Sequence, residues 1–354
     1  MLPKRIHIIP VDERAVRQAL EAERAVQPIS WLYLGERVDA LDSCEAWFAG
    51  RGIQRELGPE LQGTARAAKQ AYVEYMGALT QRLDCVRWWL GSPAEKNPYV
   101  SKIYVRLCRI LTAVRLLETA GHSSVIVVSD EAATRRVLAE LLKAQGHAVV
   151  GAEQWRSLLS ERLVTTLSWL IRRIWFLLHH GSRLIVARIL GGRQAARWSR
   201  PQSDARQGMV LLHGWVDERS FEGTGRFRNI NLGDLASYLE KNGWMCRLVP
   251  MILPDVSYVR TLRRLLRSRT AALVPHAWLT LADLGRAVLM DLAPLQRKPW
   301  PRFKEVDMGP LIEEDLRQDW KVARLPTHFL NTLLVHRWRK HHVPVAGFAY
   351  SYEN

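Results

Sequence analysis

The sequence predicts an α/β protein built on parallel sheets, and three stretches predict it. The first is VIVVSD, residues 125–130, a buried-strand run that passes directly into EAATRRVLAELLKAQG. Ser129 or Asp130 can cap that helix, Glu131 suits its positive end, and Gly146 closes it before HAVV (147–150) starts the next strand. Strand, helix, strand in this order is a βαβ unit, whose strands pair in parallel. The second is the recurrence of that order: MVLLHGW reads as a strand, LGDLASYLEKNGW as a helix from Leu232 closed by Gly243, and MCRLVPMIL as another strand. The third is the unlike segment between them, residues 153–207, which predicts a basic amphipathic helical hairpin inserted between two α/β domains.

The other elements follow in chain order. ISWLYLGE (29–36) is a short apolar run closed by Gly35, a buried strand. SKIYVRLCRILTAVRLLETAG sets Ile103, Leu107, Ile110, Val114 and Leu117 at helical spacing, so it forms a core-facing helix. In the basic segment, at about 100° per residue, Leu159, Leu163, Leu167, Leu170, Ile171, Ile174, Trp175, Leu177 and Leu178 share one arc. Glu161, Arg162, Thr165, Ser168, Arg172 and Arg173 share the other. Arg172 and Arg173 interrupt the apolar run, so it is not a span; the segment suits an anionic membrane interface, with Arg172, Arg173 and Trp175 as contact residues. A hairpin packed on its own domain is the alternative reading of the same pattern. RPQSDARQG (200–208) reads as a linker. Residues 258–295 read as helical, DMGPLIEEDLRQDW and THFLNTLLVHRWRKHH as further helices, and VAGFAYSYEN as a last strand. The expected domains are therefore 1–152, 153–207 and 208–354.

Composition bounds the function. With 354 residues and 48% hydrophobic content the chain can bury more than one core. The four cysteines lie far apart without a C-x-x-C pair, which disfavours a zinc site or a secreted disulfide framework and suits a reducing cytosol. The N-terminal stretch MLPKRIHIIPVDERAV has too short an apolar run for a signal peptide. A net charge of +16 draws the chain to polyanions, whether nucleic acid, anionic headgroups or phosphorylated substrates. There is no P-loop and no G-x-S-x-G elbow, and the Gly35-Glu36 turn lacks G-x-G-x-x-G. HRWRKHH sets His336, His341 and His342 among cations with no carboxylate or thiol partner, a basic face in preference to a metal site, so no metal or cofactor is expected.

Two stretches carry candidate chemistry. WWLGSPAEKNPYVSKIY offers Glu95, Lys96 and Asn97 on a Pro-bounded turn beside paired tryptophans, a set that can hold a polyhydroxylated ligand. Ordinary turn chemistry accounts for the same residues. HGWVDERSF sets His213, Asp217, Glu218, Arg219 and Ser220 just past a strand's carboxyl end, where ligands bind in open α/β sheets. Asp217 or Glu218 can serve as general base and Arg219 can neutralise a phosphate, although a D-E-R triplet can equally be a surface turn.

SPAEKNPYVSKIYVRL, LLHGWVDERSF with LGDLASYLEKNGW, and the closing YEN resemble bacterial surface-carbohydrate biosynthesis proteins, the glycosyltransferase-like group of O-antigen and lipopolysaccharide assembly. The resemblance implies a GT-B-like pair of Rossmann-like lobes that move a sugar from a nucleotide-sugar donor to a lipid-linked or growing glycan, without a bound metal. It implies roles for Asp217 and Glu218 as base, for Arg219 and the Lys96 loop at the departing phosphates, and for Glu353 and Asn354 at the cleft. In that group YEN runs on into further sequence, so the chain is expected to be the amino-terminal part of a longer protein. The expected setting is cytoplasmic and peripheral to the inner membrane, with the anionic membrane surface as partner and nucleic acid disfavoured. The rival expectation is a non-catalytic membrane- or nucleic-acid-binding scaffold that uses its basic helical face.

Overall fold

A computed structural model describes residues 5–23, 29–95, 100–119, 124–151, 155–198, 208–221, 227, 232–253, 255–268, 271–290 and 300–350. In chain order it begins with β1 (Arg5–Ile9), α1 (Glu13–Ala22), β2 (Ile29–Tyr33), α2 (Val38–Phe48), β3 (Gly52–Gln54), α3 (Gly58–Leu83) and α4 (Val86–Leu90). It continues with α5 (Ile103–Thr119), β4 (Ser124–Val128), α6 (Ala132–Ala144), β5 (Ala148–Val150) and α7 (Trp155–Trp198). Then come β6 (Met209–Val216), α8 (Leu235–Lys241), β7 (Met245–Ile252), α9 (Tyr258–Arg267), α10 (Pro275–Trp278) and α11 (Leu281–Met290). The hairpin β8 (Arg302–Phe303) and β9 (Val306–Asp307), helices α12 (Gly309–Val322) and α13 (Arg324–Lys340), and β10 (Val345–Tyr350) complete the described chain.

The chain forms two compact units, residues 1–169 with 293–324, and residues 170–292 with 325–354. The first holds a five-stranded sheet ordered β3-β2-β4-β1-β5, every pair parallel. Alternation along its central strands divides the core into two layers, because successive side chains leave a strand on opposite faces. Ile6, Ile8, Leu32, Val125 and Val127 meet α3, α5, α6 and α12 on one face. Ile9, Trp31, Ile126 and Val128 meet α1 and α2 on the other, where Trp31 stacks on Phe48 at 4.8 Å. The periodic residues of α5, Ile103, Leu107, Ile110, Val114 and Leu117, are all buried, as their spacing predicts. Residues 300–324, expected in the second domain, pack here instead: Phe303, Val306, Leu311, Ile312 and Leu316 are part of this core.

The second unit has a three-stranded parallel sheet, β10-β6-β7, with β6 and β7 in register over their full length. Gly208 enters β6 at φ +88°, and a Cβ there would meet the Ala346 Cβ at 2.8 Å, so a residue with a side chain is strained twice over. Val216, Leu248, Ile252, Leu262, Leu265 and Val274 pack beneath this sheet together with Ala187 of α7.

The expected hairpin is replaced by one continuous helix, since α7 runs 44 residues without a turn. Gly181, Gly191 and Gly192 are absorbed in it; an interior glycine costs about 1 kcal/mol against alanine but does not break a helix as proline does. Among the described residues no helix is long and apolar enough to cross a membrane.

Candidate functional site

In the first unit the topology marks one place. The crossover from β1 to β2 runs through α1 on one face of the sheet, while that from β4 to β5 runs through α6 on the other, and β1 and β4 are neighbours. Adjacent parallel strands whose helices leave to opposite faces form a switch point, where a crevice opens beyond their carboxyl ends. Ser129, Asp130 and Glu131 leave β4 at this edge, and the Gly35-Glu36-Arg37 turn leaves β2 beside them. A Cβ on Gly35 would lie 2.0 Å from the Tyr33 hydroxyl, so any larger residue there would have to displace that ring. The Tyr33 hydroxyl in turn accepts a 3.3 Å hydrogen bond from the Arg37 amide.

Helix α5 presents cations to this edge. Arg109 pairs with Glu36 at 3.3 Å, and Lys102, just before α5, pairs with the other Glu36 oxygen at 3.3 Å. Arg106 forks onto Glu131, Nε to Oε2 and Nη2 to Oε1, each at 2.8 Å. Arg135 donates to the Ser129 carbonyl at 2.6 Å, and Arg37 pairs with Asp39. Desolvation works against the charge on Glu131, but the fork to Arg106 holds its carboxyl below the usual range. Burial pushes the Asp130 carboxyl the other way and Glu131 adds to the rise, while a hydrogen bond from its own backbone amide, then Arg37 and Arg109, oppose it. The Asp130 Oδ1 is buried and accepts no hydrogen bond. Asp130 is thus a carboxylate with a raised proton affinity and a spare acceptor, bordered by guanidinium groups.

Behind this edge a buried network holds the loop after α4. Asp319 of α12 accepts from the Ser92 amide at 2.7 Å, and Asp315, one turn earlier, accepts from the Ser101 hydroxyl at 2.7 Å and from Arg106. Glu95 pairs with Arg324 at 2.7 Å. The loop that carries Glu95 is therefore pinned at both ends by α12, and Glu95 itself is half-exposed in an ion pair. Lys96 and Asn97 lie outside the described residues, as do Glu353 and Asn354.

The second candidate stretch is placed otherwise than expected. His213 is not past the strand end but inside β6, opposite Val249, with its ring 5.7 Å from Phe348; burial lowers its proton affinity. The strand runs on to Val216 because Val216 and Phe221 find places in the core below. Asp217 caps a short turn over Glu218–Ser220: its Oδ1 accepts from the Ser220 amide at 2.9 Å and hydroxyl at 3.0 Å, and its Oδ2 from Arg219 Nε at 2.8 Å. Desolvation is outweighed there by the Arg219 and Ser220 hydrogen bonds, which keep the Asp217 carboxyl below the ordinary range, the wrong direction for a general base. Glu218 is exposed, and the Arg219 side chain is 80% exposed.

The membrane-contact residues also separate. Arg172 and Trp175 are exposed, whereas Arg173 is buried, and burial lowers its proton affinity to about 10. Arg173 faces the interior and is withdrawn as a surface contact. Among the described residues no group of three or more metal-ligating side chains converges.

These features define an α/β protein with two parallel sheets and a polar edge at the switch point of the first. Compared with known protein families, curated proteins and solved structures, the chain matches none.

Proposed function

We propose that this chain is a glycosyltransferase-like protein of bacterial surface polysaccharide biosynthesis, acting at the cytoplasmic face of the inner membrane on a lipid-linked or growing glycan. The observation that carries the reading is Asp130, a half-buried carboxylate of raised proton affinity beside Arg37 and Arg109 at the switch point of a parallel sheet. Sugar transfer needs such a combination. An acceptor hydroxyl oxygen bonds to the anomeric carbon, its proton passes to the base, and the bond from that carbon to the nucleotide diphosphate breaks with its electrons on the phosphate. Fixed cations then stabilise the departing charge. On this reading Asp130 takes the base role in place of Asp217, and Arg37, Lys102 and Arg109 face the phosphates. The GT-B-like pairing of lobes and the sugar specificity belong to the same proposal.

A panel of tritiated nucleotide-sugars, incubated with the chain and a lipid-linked acceptor extract, tests it. Transfer from one donor that disappears in Asp130→Asn supports the reading, and no transfer and no donor binding across the panel sinks it. The non-catalytic scaffold reading has one observation in its favour, the engagement of Asp217 in a cap, and it predicts that outcome.

A further inference from the structure

Helix α7 is apolar on two faces, one buried and one exposed. Its inner face is Arg173, Phe176, Leu184 and Ala187, all buried. Its outer face in the second unit carries Ile171 at 57% exposure, Ile174 at 51%, Leu178 at 68%, Ile185 at 55% and Ile189 at 76%. The steps between these positions are three, four or seven residues, so they share one side of the helix, about 27 Å from Ile171 to Ile189 at 1.5 Å per residue. Trp175, 61% exposed and stacked on His179 at 4.6 Å, borders it. An apolar stripe of that length on a protein surface, here broken only at Gly181 and Ser182, marks an interaction site.

Charge selects the occupant. From residue 162 to residue 203 the sequence has no acidic residue or lysine and eight arginines, of which Arg173 turns inward while Arg172 and Arg188 are exposed. A second copy laid against this helix would bring arginine against arginine with no carboxylate to pair. An anionic bilayer supplies both halves of the complement, an acyl boundary for the stripe and phosphates for the flanking guanidiniums. We infer that the outer face of α7 lies in the plane of an anionic bilayer, its Leu/Ile stripe inserted below the headgroups and Arg172 at their level. The inference rests on the membrane-peripheral part of the proposed function and names its surface: the aliphatic side chains carry the binding, not the Arg172-Arg173 pair.

The experiment is flotation of the full chain with vesicles of phosphatidylcholine alone or mixed with phosphatidylglycerol, at low and high salt. The chain should float with the mixed vesicles and keep a substantial part of that binding at high salt, since apolar insertion is not screened. Ile174→Glu with Leu178→Glu, both at exposed sites, should weaken flotation by more than about tenfold, because two inserted aliphatic groups become charges. Arg172→Glu should weaken it less and mainly at low salt. Unchanged flotation of the double variant overturns the inference, as does a wild-type chain that stays with the solvent. So does a concentration-dependent dimer that the same double variant disperses, which assigns the face to a second copy. Transfer to a soluble acceptor separates the two readings: flotation lost with transfer kept sinks only the docking surface, and flotation without transfer sinks only the catalytic assignment.

Discussion

The Asp319 carboxylate of α12 accepts a 2.7 Å hydrogen bond from the backbone amide of Ser92, 227 positions earlier in the chain, and both residues are buried. This bond and its neighbour, Ser101 to Asp315, tie the two ends of one loop to successive turns of a single helix. The loop is thereby positioned by a segment that the sequence order assigns to the other half of the protein.

The first prediction concerns pH. Burial pushes the Asp319 carboxyl up from 3.8 to about 6, against the opposing Ser92 hydrogen bonds and Arg324. A folded value above the unfolded one means that the folded state binds the proton more tightly. The contribution of this group to stability is therefore full below pH 4 and is lost as pH rises through about 6, on the order of 2–3 kcal/mol across the window. Asp319→Asn should flatten that slope and make the first unit more stable than wild type at pH 8. Urea unfolding at pH 5 and pH 8 measures both, and parallel pH profiles for the two proteins would remove Asp319 as the source.

The second concerns the buried ions next to it. Arg106 and Asp315 are almost fully buried, with Glu131 completing the fork. Removing one charge leaves the others unpaired, so Arg106→Ala should destabilise by about 3–5 kcal/mol. Arg106→Lys should rescue little of it, because a point charge cannot fork onto Glu131. A lysine variant as stable as wild type would show that the fork geometry is unimportant.

Histidines set the opposite slope in the second unit. His180 Nδ1 lies 3.1 Å from His276 Nε2, and the His276 Nδ1 lies 3.4 Å from the Tyr258 hydroxyl. Burial pushes both imidazoles down from 6.5 to about 3, with His179 and Arg183 adding to it at both and His180 adding to it at His276. Folded values below the unfolded one mean stability that is present above pH 6.5 and lost as pH falls toward 3, by about 1.4 kcal/mol per pH unit for each group. Hydrogen exchange resolved by peptide should therefore show α9 and α10 loosening at pH 5 while α12 tightens. His276→Phe should remove about half of the acid loosening and leave the share of His180, and a variant that loosens like wild type would assign the effect elsewhere.

Much of the fold was legible because local rules and tertiary packing agree. VIVVSD and its helix form β4 and α6, and the second repeat of that order forms β6, α8 and β7. The switch-point edge was not legible, for a physical reason: Glu36, Lys102, Arg109 and Asp130 are distant in sequence and meet only when β2 and β4 pair across the sheet. Asp130 read from the sequence as a helix cap, and nothing local separates a cap from a base. Asp217 shows the reverse ambiguity, since the D-E-R-S spelling of a capping turn also spells an acidic site, and here the cap forms. In α7 the periodicity separated an apolar arc from a polar one, but periodicity does not say which arc faces the protein, and Arg173 went inward.

The two aspartates give the last prediction. Each follows a central strand of a parallel sheet, yet their surroundings move their proton affinities in opposite directions, Asp130 up through burial and Asp217 down through its Arg219 and Ser220 bonds. A base is most effective when its proton affinity approaches the working pH, and an oxygen already accepting hydrogen bonds is a poorer proton acceptor still. Asp217→Ala should therefore cost about 1 kcal/mol of stability through the lost cap and leave donor binding intact. Asp130→Asn should preserve the fold and donor binding and lower transfer by about 10²–10⁴-fold. Single-turnover transfer measured beside urea stability distinguishes them. If Asp217→Ala abolishes transfer without unfolding the second unit while Asp130→Asn transfers normally, the catalytic edge belongs to the second sheet and the assignment made here to the first is wrong.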